Sequence, residues 1–303
     1  MAQPFSFPEQ LCNWLPSALF RWQLVHDPDF AWPILEIHDE QRQIMNVLTV
    51  PLTTWQQLHR HGLPDGLYAK LVSLRSDGIP AVALWEDYWI AKNSIVRSRL
   101  SAMLGISAKI PARLTQVRRI DDATTFHFLD INHLNGATSS KFRYGLFLPK
   151  QYYRVLPEDF AYDNSASEIL VAVATFNNAR IFEQHGLPFR SHELIRFASL
   201  QGTNVVGGLD KLLNAFIREK SPDDIMTYAD FEWSDGRGYR RLGFEERGTV
   251  APQKVYLDLN NMRRIRKRAD DSSENTSIKY LTVFNLGSIK YVRLIKQRSS
   301  DAH

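Results

Sequence analysis

The tightest constraint in this sequence lies between Ser191 and Asp230. SHELIRFASL reads as a strand, TNVVGGLDKLLNAFIREK as a glycine turn entering a helix, and DDIMTYADF as the next strand. A strand–helix–strand order asks for a parallel pair with the helix packed across it. Leu209, Leu212, Leu213 and Phe216 recur at helical spacing and give the helix an apolar face. The turn itself is Asn204-Val205-Val206-Gly207-Gly208, with Lys211 following in the helix. Glycine lets backbone N–H groups approach a ligand with no Cβ in the way. A helix start adds unpaired N–H groups and a partial positive charge, so a pyrophosphate is the natural occupant. A Gly-Gly pair before a helix is also commonly a plain turn.

On either side the pattern is that of an α/β protein. TTFHFLDINHL reads as a helix entered through a threonine cap, and FRYGLFLP and EILVAVATFN as an antiparallel strand pair joined by a long acidic loop. SDGRGYRRLGF reads as a turn and a short helix, 253–259 as a strand, ADDSSENTS as a mobile loop, and IKYLTVFNLGSIKYVRLI as a closing hairpin. Before residue 110, Trp32–Ile37 and Ile44–Val50 suit strands, residues 53–78 a helix, turn and helix, IPAVALWEDYW a buried strand, and KNSIVRSRLSAMLG a helix. These elements predict an N-terminal α/β domain over 1–110, a mixed-sheet domain over 120–260, and a basic segment with a hairpin over 261–303.

Among 303 residues, 44% are hydrophobic and 23% charged, which suits globular domains with real cores. Cys12 is the sole cysteine, which rules out an intramolecular disulfide framework and a thiolate-only zinc site. No signal peptide is visible, and no window has the length and apolarity of a membrane span. A cytoplasmic setting, with no membrane partner and no metal, is therefore expected. The net charge of +4 is unevenly placed. Arg97, Arg99, Lys109, Arg113, Arg118 and Arg119 fall in 97–119 without an acid among them, and 263–268 reads RRIRKR. Such runs are often only solvated faces. Two of them beside abundant aromatics favour DNA as a partner.

About thirty residues after the glycine turn stands Tyr239-Arg-Arg-Leu242-Gly243-Phe244. The two motifs together resemble the GNAT acyltransferases, whose Gln/Arg-x-x-Gly-x-Gly/Ala turn grips the pyrophosphate of acetyl-CoA. In that family a downstream Tyr-x-x-x-Gly-Phe often supplies the tyrosine that protonates the departing thiolate. Gly207, Leu212 and Leu213 fit the first pattern, and Tyr239, Gly243 and Phe244 the second. Asn204 stands where Gln or Arg is usual and Leu209 where Gly or Ala is usual; a leucine there narrows the turn. The resemblance implies a GNAT-like mixed sheet with flanking helices, and acetyl-CoA or a related acyl-CoA as cofactor. The runs 192–213, 228–244 and 283–291 also resemble a GNAT-like module of phage homing-endonuclease-associated proteins. In that group a nuclease-like domain precedes the module, and here 78–100 is similar to its end. More distantly, the chain resembles the Mom DNA-modification proteins of phages.

These resemblances imply His133, Asp230 and Tyr239 as catalytic residues, and Asn204, Val205, Val206, Gly207, Gly208 and Lys211 as the cofactor turn. They imply Glu193 and Arg196 near the substrate, with Arg263, Arg264, Arg266, Lys267 and Arg268 against nucleic acid. Each has a plainer alternative. His133 can be a capping histidine, Asp230 a turn aspartate, Tyr239 a packing residue, and Glu193 with Arg196 a cross-strand ion pair. Glu86 and Asp87 suit metal-holding nuclease carboxylates, for which Glu36, His38, Asp39 and Asp77 are the available upstream groups, although no nuclease motif is recognisable. The expectation is a GNAT-like enzyme that transfers a group to a DNA base from an acyl-CoA-like donor. The alternative is a catalytically inactive GNAT-like DNA-binding module of a phage- or mobile-element-derived protein.

Overall fold

In a computed structural model the chain divides into two compact units, and neither is one continuous stretch. The first comprises 1–93, 229–236 and 249–289; the second comprises 94–228, 237–248 and 290–303. The structure describes residues 5–58, 66–184, 186–265 and 280–295.

The first unit begins with α1 (Phe7–Trp14), β1 (Arg21–Asp27), β2 (Phe30–His38), β3 (Gln43–Val50), α2 (Leu52–Leu58), α3 (Gly66–Ser76), β4 (Ala81–Trp85) and α4 (Glu86–Ala91). The four strands form one sheet in chain order, antiparallel until the β3–β4 step, which is parallel. A parallel step needs a crossover, and the two helices between these strands supply it. IPAVALWEDYW is therefore not strand throughout: Trp85 ends β4 and Glu86 opens a helix. The Glu86 carboxylate is used there, accepting the Leu52 N–H at the start of α2 at 2.7 Å. Trp32, Trp55, Trp85 and Trp89 are core residues. Trp55 stacks on Trp32 at 6.2 Å and meets Trp85 edge-on at 4.8 Å, while its indole N–H reaches the Thr282 carbonyl at 2.7 Å.

The second unit opens within α5 (Asn93–Met103) and continues through β5 (Ala108–Pro111), β6 (Gln116–Arg119), α6 (Asp122–Asn132), β7 (Phe142–Pro149), β8 (Glu168–Phe176), β9 (Arg180–Gln184), β10 (Leu187–Ser199), β11 (Thr203–Val206), α7 (Gly208–Lys220) and β12 (Asp224–Asp230). Helix α6 is capped by Asp121, which accepts the Thr124 N–H, and not by a threonine. Then follow in chain order α8 (Arg237–Arg241) and β13 (Glu245–Val250), next β14 (Lys254–Asp258), β15 (Arg263–Ile265) and β16 (Tyr280–Phe284), which belong to the first unit, and last β17 (Ser288–Leu294). The main sheet runs β13-β17-β12-β10-β8-β7-β6, with β9 also paired to β10. Strands β10 and β12 flank α7 and are parallel over Ser191–Glu193 and Asp224–Met226. Beyond that, β10 parts from β12 and continues antiparallel to β8 from Leu194 to Ser199. This is the mixed sheet and parallel splay that the glycine turn predicts. Helix α7 packs through the buried Leu212, Leu213 and Phe216, with Phe216 stacked on Phe176 at 4.0 Å.

The closing hairpin is not formed. Strand β16 joins a three-stranded sheet of order β15-β14-β16, whereas β17 lies in the main sheet between β13 and β12. Gly287 lies between the two strands, at φ +84°. Its carbonyl accepts the Phe231 N–H at 3.1 Å, and a Cβ there would overlap the Val250 carbonyl oxygen. The segment ADDSSENTS lies outside the described residues. Among the described residues no helix is long and apolar enough to cross a membrane. Gly287→Ala combines a left-handed φ with a backbone clash, so it is expected to lower stability by more than about 2 kcal/mol. Equilibrium urea unfolding checks this.

Candidate functional site

A strand that leaves its neighbour strands a backbone carbonyl, and a buried carbonyl without a partner costs about 1–3 kcal/mol. At the splay that carbonyl belongs to Leu194. The Thr227 hydroxyl, buried on β12, donates to it at 2.9 Å. The side chain of Tyr239, on α8, hydrogen-bonds Thr227 in turn. Thr227 has one proton and gives it to Leu194, so its oxygen accepts from the Tyr239 hydroxyl. Three elements are thereby tied at the mouth of the splay. Tyr239 stacks on Tyr291 at 5.6 Å and meets Phe244 edge-on at 5.7 Å, and the Phe244 N–H donates to the Tyr239 carbonyl. Burial pushes the Tyr239 hydroxyl above the ordinary tyrosine range, against the positive charge of Arg99. It therefore holds its proton at neutral pH. Thr227 was not singled out from the sequence; its signal was a lone β-branched polar residue at a core-facing position of a strand.

The glycine turn has the backbone that an approaching anion needs. Gly207 is the N-cap of α7 in the left-handed region at φ +77°, exposed, and a Cβ on it would meet only Ala112 Cβ at 3.7 Å. Gly208 is packed instead: a Cβ there would press on Val205 at 2.9 Å. Asn204, Val205 and Val206 lie in β11, which pairs in parallel with β5 in the register Asn204↔Lys109. Asn204 and Val206 are exposed and Val205 is buried. The Lys211 ammonium donates to the carbonyls of Ala112 and Thr115, so it straps α7 to the segment after β5. In the first turn of α7, Asp210 lies 4.0 Å from Arg293.

The other candidates fall as follows. His133 is the C-cap of α6, and its Nδ1 accepts the Asn135 N–H at 3.1 Å, which leaves the ring proton of the neutral form on Nε2. Asp230 belongs to the first unit, where its carboxylate accepts the Glu232 N–H at 3.0 Å and its carbonyl accepts from Trp233 and Ser234. Glu193 accepts from the Asn177 side chain at 3.4 Å, and Arg196 donates to the carbonyls of Gly136 and Ile195.

The basic runs are partly used within the fold. Arg118 pairs with Glu168, and Arg119 lies 3.7 Å from Glu219. Arg97, Lys109 and Arg113 are exposed. Arg264 corrects the expectation of a phosphate contact. Its guanidinium binds the buried Asp87 carboxylate through two hydrogen bonds, of 2.7 and 3.0 Å, and lies against the rings of Trp85 and Tyr88 at 5.0 and 4.2 Å. Asp87 is thus an internal ion-pair partner. Arg263 is exposed, and Arg266, Lys267 and Arg268 lie outside the described residues. Among the described residues no three His, Cys, Asp or Glu side chains gather to hold a metal ion.

No family model matches this chain, and no curated protein matches it. Several solved structures are faintly similar. One is described as histone acetyltransferase HPA2 and related acetyltransferase from Corynebacterium glutamicum, at 12% identity and TM-score 0.34, over 61% of this chain and 98% of that one. Another is a KacTA–DNA complex, at 16% identity and TM-score 0.30, over 44% of this chain and 86% of that one. A third is a conserved protein of unknown function from Enterococcus faecalis V583, a probable N-acyltransferase, at 12% identity and TM-score 0.31, over 50% of this chain and 37% of that one. Likenesses this faint carry no weight for activity, and the fold assignment stands on strand order and the splay.

Two substitutions probe these contacts. Thr227→Val strands the Leu194 carbonyl and is expected to cost about 1–3 kcal/mol in urea unfolding. Arg264→Ala leaves Asp87 buried and unpaired and is expected to cost about 3–5 kcal/mol. The neighbouring Arg263→Ala should stay within about 0.5 kcal/mol in the same measurement.

Proposed function

We propose that the second unit is a GNAT-like group-transfer module, with an acyl-CoA-like donor held at the Gly207 turn and an amine of a DNA base as acceptor. The observation that carries this reading is the splay of β10 from β12, with the Tyr239 hydroxyl fixed at its mouth through Thr227. The turn fits a pyrophosphate on one ground of its own: the exposed, left-handed Gly207 opens a thirteen-residue helix at a position where any side chain would be strained. A bound acyl-CoA would supply a thioester-activated acyl group. Gly207 and the first N–H groups of α7 would hold its pyrophosphate. Tyr239, which keeps its proton at neutral pH, has the property required of the acid that protonates a departing thiolate. A DNA base as the acceptor rests on the exposed cations Arg97, Lys109 and Arg113 of the same unit.

A second reading, an inactive DNA-binding module, is favoured by Lys211 and Leu209. The lysine is spent on the Ala112 and Thr115 carbonyls, and the leucine narrows the turn. Calorimetry with acetyl-CoA and mass spectrometry of nucleosides from DNA of cells with and without the protein separate the two. The transfer reading expects heat on acetyl-CoA addition and a modified nucleoside that disappears with Tyr239→Phe. No heat together with unchanged nucleosides leaves the binding module.

Both readings expect salt-sensitive DNA affinity. Replacing Arg97, Lys109 and Arg113 with Ala should lower the log–log salt slope by up to about 0.9 for each side chain that contacts a phosphate. A slope unchanged in the triple variant removes DNA from either reading.

A further inference from the structure

An edge strand leaves backbone N–H and C=O groups with which another strand can pair. The main sheet ends at β13 and β6. Both ends carry consecutive exposed like charges that resist a further strand: Glu245 and Glu246 on β13, Arg118 and Arg119 on β6. Strand β9 is a third edge, since among the described strands it pairs with β10 alone. All five of its residues, Arg180 to Gln184, are exposed. Ile181 is 68% and Phe182 50% exposed, and Leu187 across the hairpin is 55% exposed. Phe189 on β10 supports Phe182, with ring centres 5.0 Å apart. Pro188 decides which backbone groups of β9 face outward. It opposes Glu183 and has no N–H, so that pair is not a hydrogen-bonded one. Antiparallel pairs alternate, so Phe182–Phe189 is hydrogen-bonded and Ile181–Arg190 is not. Arg190 agrees: its N–H donates to the Asp223 carboxylate at 2.7 Å and its carbonyl accepts the Asp223 N–H at 3.0 Å. The outward groups of β9 are therefore those of Ile181 and Glu183, placed symmetrically about Phe182.

We infer that β9 pairs antiparallel with β9 of a second copy of this chain, about a two-fold axis at Phe182. An axis perpendicular to the sheet keeps every side chain on its own face, so only residues an even number of positions apart can oppose. Centred on Phe182, Ile181 and the partner's Glu183 exchange both N–H···O bonds, and Glu183 does the same with the partner's Ile181. Each outward group of the strand is then satisfied. Phe182 opposes the partner's Phe182 at the closer, non-hydrogen-bonded spacing, and Arg180 opposes the partner's Gln184. No like charges face each other. Centring the axis on Glu183 would set that carboxylate against its own copy, and centring it on Ile181 would carry Glu183 beyond the start of the partner strand. The symmetry of the outward groups is what selects a second copy as the occupant. One short strand covers less than the about 1,200–2,000 Å² of a stable interface, so the dimer forms and dissociates with concentration. This association does not rest on the functional reading above.

Sedimentation equilibrium of the full-length chain tests this. The weight-average mass should rise with concentration from that of one chain toward that of two and no further, because a two-fold contact closes. Ile181→Pro removes an outward N–H without touching the ladder to β10, and Phe182→Lys sets two ammonium groups against each other. Each should hold the mass at one chain at every concentration, with the far-ultraviolet circular dichroism of the wild type. Should Ile181→Pro fail to fold, Phe182→Lys decides alone. In a Cys12→Ala background, Phe182→Cys should cross-link two chains on oxidation, because opposed Cα atoms there stand about 4.5 Å apart, within disulfide reach. Ile181→Cys, which opposes the partner's Glu183, should stay uncross-linked. The pairing is overturned by a mass of one chain at all concentrations, by growth past two chains, by a dimer that survives Phe182→Lys, or by Ile181→Cys cross-linking as fast as Phe182→Cys.

Discussion

A β-strand has two edges, and β10 needs three partners along its length: β9, β12 and β8. The change of partner at Leu194 is the constraint on which the second unit depends. Where two parallel strands diverge, the ladder ends and a carbonyl faces inward with nothing to accept from. Thr227 supplies the donor from the strand being left, so the gap stays open without an unsatisfied group. The same hydroxyl oxygen then receives the Tyr239 hydroxyl, which fixes α8 against the gap. A backbone requirement and a candidate acid are thus met by one side chain. This is why the geometry is more informative than the glycine turn alone.

The parts of this fold legible in the sequence are those where one periodicity runs long enough to exclude the other. Helix α7 repeats Leu212, Leu213 and Phe216 at helical spacing, β8 is a long apolar run, and β10 and β12 flank the helix, so their identity and parallel or antiparallel order follow. Strands β5 and β11 are four residues each and pair across some ninety residues of chain, and nothing local in Ala108–Pro111 or Thr203–Val206 announces the partner. The apparent C-terminal hairpin misleads for a related reason. Asn285-Leu286-Gly287 has the composition of a turn, yet the left-handed Gly287 sends the chain into another sheet.

Charge patterns mislead in a different way. RRIRKR reads as a basic surface, but in β15 the side chains alternate. Arg263 and Ile265 are exposed, while Arg264 faces inward onto Asp87. The order is the reverse of what hydrophobicity alone would choose, and only the buried acid on α4 explains it. That acid looked like a nuclease carboxylate, and the arginine like a phosphate contact. Each is the other's partner.

The chain passes between its two units five times, and this governs how the protein can be made. The first unit is not complete until residue 289 and the second not until its last strand, Ser288–Leu294, has emerged. Neither can therefore finish folding while the ribosome is still adding the last dozen or so residues of the described sheet. A nascent chain of some 280 residues would carry two partly built cores with their apolar faces uncovered, a state prone to association. For the same reason a single cut frees neither unit. No one proteolytic event or truncation point yields either unit whole and without strands of the other.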